Sequence, residues 1–127
     1  METTSEIELN LINLQIGCML RLGRLKQNFS QHTLGLKIDY SSTMIGRVER
    51  AESISGWDKI YTISRYLKID FKSLFVLKSL ESLIVIVEES FNLEAKLTQE
   101  KIDYYNILKK TLRIQFDLLE KERQTNK

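Results

Sequence analysis

The segment Ser41-Ser42-Thr43-Met44-Ile45-Gly46-Arg47-Val48-Glu49-Arg50 decides how the rest of the chain is read. At a helical step of about 100° per residue, Ser42, Thr43, Gly46, Arg47 and Arg50 fall within roughly 140° of arc. Met44, Ile45 and Val48 fall on the other side, and Ser41 stands where an N-cap belongs. One face is therefore small, polar and cationic, and the other is apolar. Small outer residues let a helix approach a surface closely. Arg47 could then offer a bidentate fork to guanine O6 and N7, and Thr43 a hydroxyl and a methyl group to a base edge. An ordinary solvated face would show the same periodicity, so the segment needs its surroundings.

Upstream, Leu14 to Lys26 places Leu14, Cys18, Leu22 and Leu25 at helical spacing. Ser30 is an N-cap for a second helix through Lys37, and Asp39-Tyr40 makes a tight link to Ser41. Downstream, Ala51 to Ser55 reads as a loop. Ser55 and Asp58 have the reciprocal capping spacing that opens a fourth helix, which runs to Leu67 on Ile60 and Ile63. Asp70 would cap a last short helix holding Leu74 and Phe75. The expectation is a five-helix bundle over residues 14–78, preceded by an acidic N-terminal extension over residues 1–13.

Residues 79–127 read as a helical arm. Ser79 to Phe91 is strongly apolar, Asn92-Leu93 breaks it, and Thr98 caps a long helix to about Arg123. Tyr105, Leu108, Leu112, Gln115 and Leu119 follow one another at steps of three and four, a short heptad stripe. Packing onto the chain's own bundle would bury that surface. A homodimer through Leu83, Ile86, Tyr105, Leu108, Leu112 and Leu119 is the expectation taken forward, because the five-helix unit can close its own core.

Composition agrees with an all-α fold. The 127 residues include no proline and five glycines, too few turn formers for a sheet-rich domain. A single cysteine, Cys18, excludes a disulfide framework, and a single histidine, His32, excludes a His-based metal centre. Cys18 reads as a small core residue and His32 as a solvated one. No metal or other cofactor is called for. The longest apolar run, Leu83 to Val87, is far short of the ~20 residues of a membrane span. Acids at Glu2, Glu6 and Glu8 have the wrong sign for a secretory leader, so the expected location is cytoplasmic. Charge is uneven: residues 16–75 carry ten bases against five acids, whereas residues 76–127 carry nine of each. A basic centre suits a polyanion partner.

With these residues in place, Ile16 to Phe75 resembles the Xre/Cro-type helix-turn-helix domain, the lambda-repressor-like fold of phage and bacterial transcription regulators. The resemblance runs in order through Ile16-Gly17, Leu25-Lys26, Ser30-Gln31, Leu34-Gly35, Ser42 to Ser53, Trp57-Asp58 and Leu74-Phe75. It implies that Gln31 braces the edge of the readout, that Ser42, Thr43 and Arg47 read bases, and that Arg50 faces phosphate. Ser41 and Gly46 belong to the same DNA-facing set. It also implies an ion pair, Arg24 with Glu49, tying the first helix to the recognition helix. Asp39 and Ala51 stand where the family usually has glycine, and Glu52 where relatives often have a base.

The function expected is a DNA-binding transcriptional regulator, most simply a repressor, that binds double-stranded DNA at a two-fold operator as a homodimer. The alternative is a helix-turn-helix antitoxin or antirepressor whose main task is binding another protein. An enzyme is not expected, since no nucleophile–base pairing, phosphate loop or metal spacing is present.

Overall fold

The computed structural model describes residues 5–125, and among them every regular element is helical. The order is α1 (Glu6–Lys26), α2 (Gln31–Ile38), α3 (Ser42–Glu49), α4 (Trp57–Tyr66), a 3-10 turn (Lys72–Phe75), α5 (Leu80–Leu93) and α6 (Gln99–Thr125).

α1 begins eight residues earlier than Leu14, which corrects the expected N-terminal extension. Ser5 caps it by accepting from the Glu8 backbone N–H at 3.2 Å, and Glu6 and Glu8 oppose the helix dipole in the first turn. Residues 1–4 of the expected extension lie outside the described residues. The additional turns carry Ile7 and Leu11, which continue the line of Leu14 and Cys18. Ile16 and Leu20 lie on nearly the opposite side of the helix and enter a different core.

α1 is thus apolar on two faces and is shared by two cores. The first unites Ile16 and Leu20 with Leu34, Ile45, Val48, Ile60, Ile63, Leu67 and Leu74. The second unites Leu11 and Cys18 with Leu83, Val87, Tyr105, Leu108, Leu112 and Leu119. The stripe assigned to a homodimer is therefore buried inside the chain. Leu83, Tyr105, Leu108, Leu112 and Leu119 are buried, and Ile86 is half-buried against them. The physical reason is the length of α1, whose second face covers α5 and α6 without a second copy.

Ser30, Ser41 and Thr98 cap as expected, the Thr98 hydroxyl accepting from the Lys101 N–H at 3.2 Å, and Ser79 caps α5 as well. Ser55 does not. Gly56 is the N-cap of α4 and no side chain caps it. Asp70 likewise gives no side-chain cap, and the short helix after it is a 3-10 turn. Buried Gln15 holds this region: its amide donates to the carbonyls of Leu74 and Val76, both at 2.9 Å, and its carbonyl accepts from the Lys78 N–H at 2.8 Å.

α1 to α4 are each followed by a left-handed residue that is not glycine: Asn28, Asp39, Ala51 and Lys68, with φ of 60°, 60°, 53° and 61°. Asparagine and aspartate tolerate this region through local hydrogen bonding, whereas alanine has no such compensation. Ala51→Gly is accordingly expected to raise stability by about 0.5–1 kcal/mol, the relief of strain exceeding the entropy glycine adds to the unfolded chain. Urea unfolding checks this, and an unchanged or lower midpoint would contradict it.

Candidate nucleic-acid interface

α3 is held from behind. Ile45 and Val48 are buried in the first core, and Gly17 lets α1 pass so close that a Cβ there would meet the Val48 carbonyl at 2.9 Å. α2 and α3 are joined by Asp39, whose left-handed conformation lets the Asp39 and Tyr40 N–H groups both reach the Gly35 carbonyl.

The register of α3 is fixed by Glu49, buried at its end. Arg24 Nε donates to Glu49 Oε2 at 2.6 Å and Arg24 Nη2 to Oε1 at 3.0 Å, a bidentate pair. The ion pair implied by the family resemblance is present. Gln31 Nε2 donates to the same Oε1 at 3.0 Å, so the side chain that opens α2 is oriented by it. Arg21, also buried, approaches Oε1 at 3.5 Å and donates to the Glu49 backbone carbonyl at 3.2 Å. It reaches α6 as well, donating to the Tyr104 hydroxyl at 3.1 Å beneath that ring. The acids and bases of sequence spacing alone gave no sign of Arg21's role; a base inside the apolar run Cys18 to Leu25 was the available signal.

Of the DNA-facing set, Ser41, Ser42, Thr43, Arg47 and Arg50 are exposed on one side. Gly46 is not. It is buried beneath Arg50 and Gln31; a Cβ there would meet Arg50 Nη1 at 2.8 Å, so its assigned direct contact is corrected to a seat for Arg50. Ser41 is engaged as a cap, accepting from the Met44 N–H at 3.1 Å. Arg47 projects outward with two-thirds of its side chain exposed (66%).

Glu52 faces both arginines. Its carboxylate lies 3.4 Å from Arg50 Nε and 3.9 Å from Arg47 Nε, with all three side chains solvated. Beyond it, Ile54 and Trp57 are 82% and 71% exposed, an apolar pair that the helical reading of the sequence did not single out. On the other side, a cleft of about 730 Å³ leads from Gln31 and Arg50 to Lys96 and Lys101, next to the α5–α6 connection. Lys101 is held there by Glu94 at 3.5 Å.

Cys18 is buried, and that burial pushes its thiol up to about 11, with Arg21 partly opposing. It is a core residue rather than a reactive thiolate. His32 is exposed. No helix among the described residues is long and apolar enough to cross a membrane. No protein-family model, curated protein or solved structure matches this chain.

Proposed function

We propose that the chain is a sequence-specific DNA-binding transcriptional regulator, most simply a repressor, acting as a homodimer on a two-fold operator. The observation that carries this reading is the outer face of α3. Ser42, Thr43, Arg47 and Arg50 are exposed together on a helix whose other face is locked by Ile45, Val48 and Glu49. A rigid helix with an outward guanidinium meets the geometric demand of reading a major groove. The α2 N-terminus beside it, ordered through Gln31, supplies backbone N–H groups suited to phosphate. Xre/Cro-type regulators work with this arrangement, and the resemblance set out above adds to the reading.

The second reading, a protein-binding module, is favoured by one specific observation. Glu52 draws on both arginines, and exposed Ile54 and Trp57 extend the surface with apolar area.

Fluorescence anisotropy on a site selected from genomic fragments separates the two. Arg47→Ala is expected to cost about 1–3 kcal/mol of binding and to relax preference at one base pair per half-site. Arg50→Ala should weaken all sequences alike and flatten the salt dependence by about one unit per subunit. Glu52→Gln should tighten binding to every sequence several-fold, because the arginines no longer leave a carboxylate to meet phosphate. If Arg47→Ala keeps the parent's affinity and preference, α3 is not the reading helix. If no fragment is selected while a one-to-one protein complex forms, the second reading holds.

A further inference from the structure

α6 carries a second stripe that the fold leaves uncovered. Tyr105, Leu108, Leu112 and Leu119 turn inward, but Ile107, Thr111, Ile114 and Leu118 follow at steps of four, three and four along the neighbouring flank. Ile107, Ile114 and Leu118 are 64%, 48% and 42% exposed. Isolated apolar residues on a surface are ordinary. Three on one line of a single helix, at the period of a helix–helix seam, are what an opposing helix would cover.

We infer that this stripe is the contact between two copies of the chain, with the two α6 helices antiparallel about a two-fold axis near residues 112–113. Self-complementarity selects this occupant. In that register Ile107 meets the partner copy's Leu118 position, an apolar contact at each end of the seam, and at its centre the Thr111 methyl meets the Ile114 position. The charges agree with it. Along the outer edge of the stripe run Asp103, Lys110 and Asp117, one heptad apart. Antiparallel pairing about this centre sets Lys110 against the Asp117 position of the other copy, twice, by symmetry. In the single chain Asp117 pairs with Lys121 at 3.1 Å, both side chains well exposed, a contact that gives way at little cost. Three apolar residues per copy make a small seam, so the expected dimer forms in the micromolar range rather than the nanomolar.

The inference names the surface of the homodimer proposed above, yet sedimentation requires no DNA, so the two stand or fall separately. The full chain is examined by sedimentation equilibrium from about 1 to 200 μM, a range chosen to span a weak interface. The parent should pass from monomer to dimer across it. Ile114→Glu, at an exposed position, should keep the parent's melting temperature and remain monomeric. Lys110→Asp should weaken the dimer at least tenfold, and adding Asp117→Lys should restore it. A parent that stays monomeric throughout overturns the inference, as does an Ile114→Glu variant that dimerises like the parent. Failure of the double charge exchange to restore association overturns the antiparallel register. Loss of DNA binding in Arg47→Ala with a monomeric parent would leave a DNA-binding protein that acts without this interface.

Discussion

Glu49→Ala is expected to lower the melting temperature by more than about 10 °C. The carboxylate is buried and receives Arg24 through two hydrogen bonds, Gln31 through one, and Arg21 at 3.5 Å. Its removal leaves two buried guanidiniums sharing one interior without a counter-charge. Breaking a buried pair from one side costs about 3–5 kcal/mol, because the stranded charge keeps its desolvation penalty. That is a large part of the ~5–15 kcal/mol that holds a domain of this size together. Thermal denaturation followed by circular dichroism gives the answer. Arg24→Ala should be milder, since Glu49 then retains Arg21 and Gln31. A Glu49→Ala variant that melts within a few degrees of the parent would show that the network is not needed for stability.

Removal of α5 and α6, by ending the chain at Lys78, is expected to have an effect of similar or greater size. The shortened chain retains the first core but uncovers Leu11 and Cys18 on α1, and takes Tyr104 from Arg21. Re-exposing a fully buried leucine-sized side chain costs about 1.5–3 kcal/mol. With the half-buried Ile7 and Leu14 also uncovered, the loss approaches the whole stability of the remaining bundle. The expected result is a chain with a low, shallow melt and a tendency to associate through the uncovered face. A shortened chain that melts cooperatively near the parent's temperature would mean that the two cores are independent. Leu112→Ala in the full chain is the gentler check, expected to cost about 2–5 kcal/mol at a site with no exposure.

The sequence was most legible where local chemistry decides structure. Ser30, Ser41 and Thr98 opened helices as their hydroxyls implied. The periodicity of Ile45 and Val48 named the buried side of α3, and the family register named Arg24 with Glu49. The start of α1 was carried by the sequence, in the capping spacing of Ser5 and Glu8 and in Ile7 and Leu11 at helical steps from Leu14 and Cys18, and the reading of residues 1–13 as an acidic extension overlooked it. Legibility failed where a decision depends on distant partners. Tyr105, Leu108, Leu112 and Leu119 were turned outward in expectation, when their true complement lay about a hundred residues earlier, at Leu11. Gly46 was misjudged for a subtler reason. Its place on the polar face is as read, but Arg50 folds back over it, and helical spacing carries no information about rotamers. Glu52 was noticed as an acid in a basic setting, yet its reach to both arginines follows from the left-handed turn at Ala51.

The double-faced first helix also sets an order on the ribosome. α1 emerges early, and α2 to α4 follow within the next forty residues to cover Ile16 and Leu20. The other side, with Leu11 and Cys18, waits for partners that end at Leu119, and the last ties, Ser5 to Glu122 and Glu8 to Arg123, join the two ends of the described chain. At roughly 5–20 residues per second, that interval lasts several seconds, in which the nascent protein shows an apolar strip to its surroundings. A holdase that recognises such strips would meet this protein only during synthesis. The finished molecule would offer it nothing on that side.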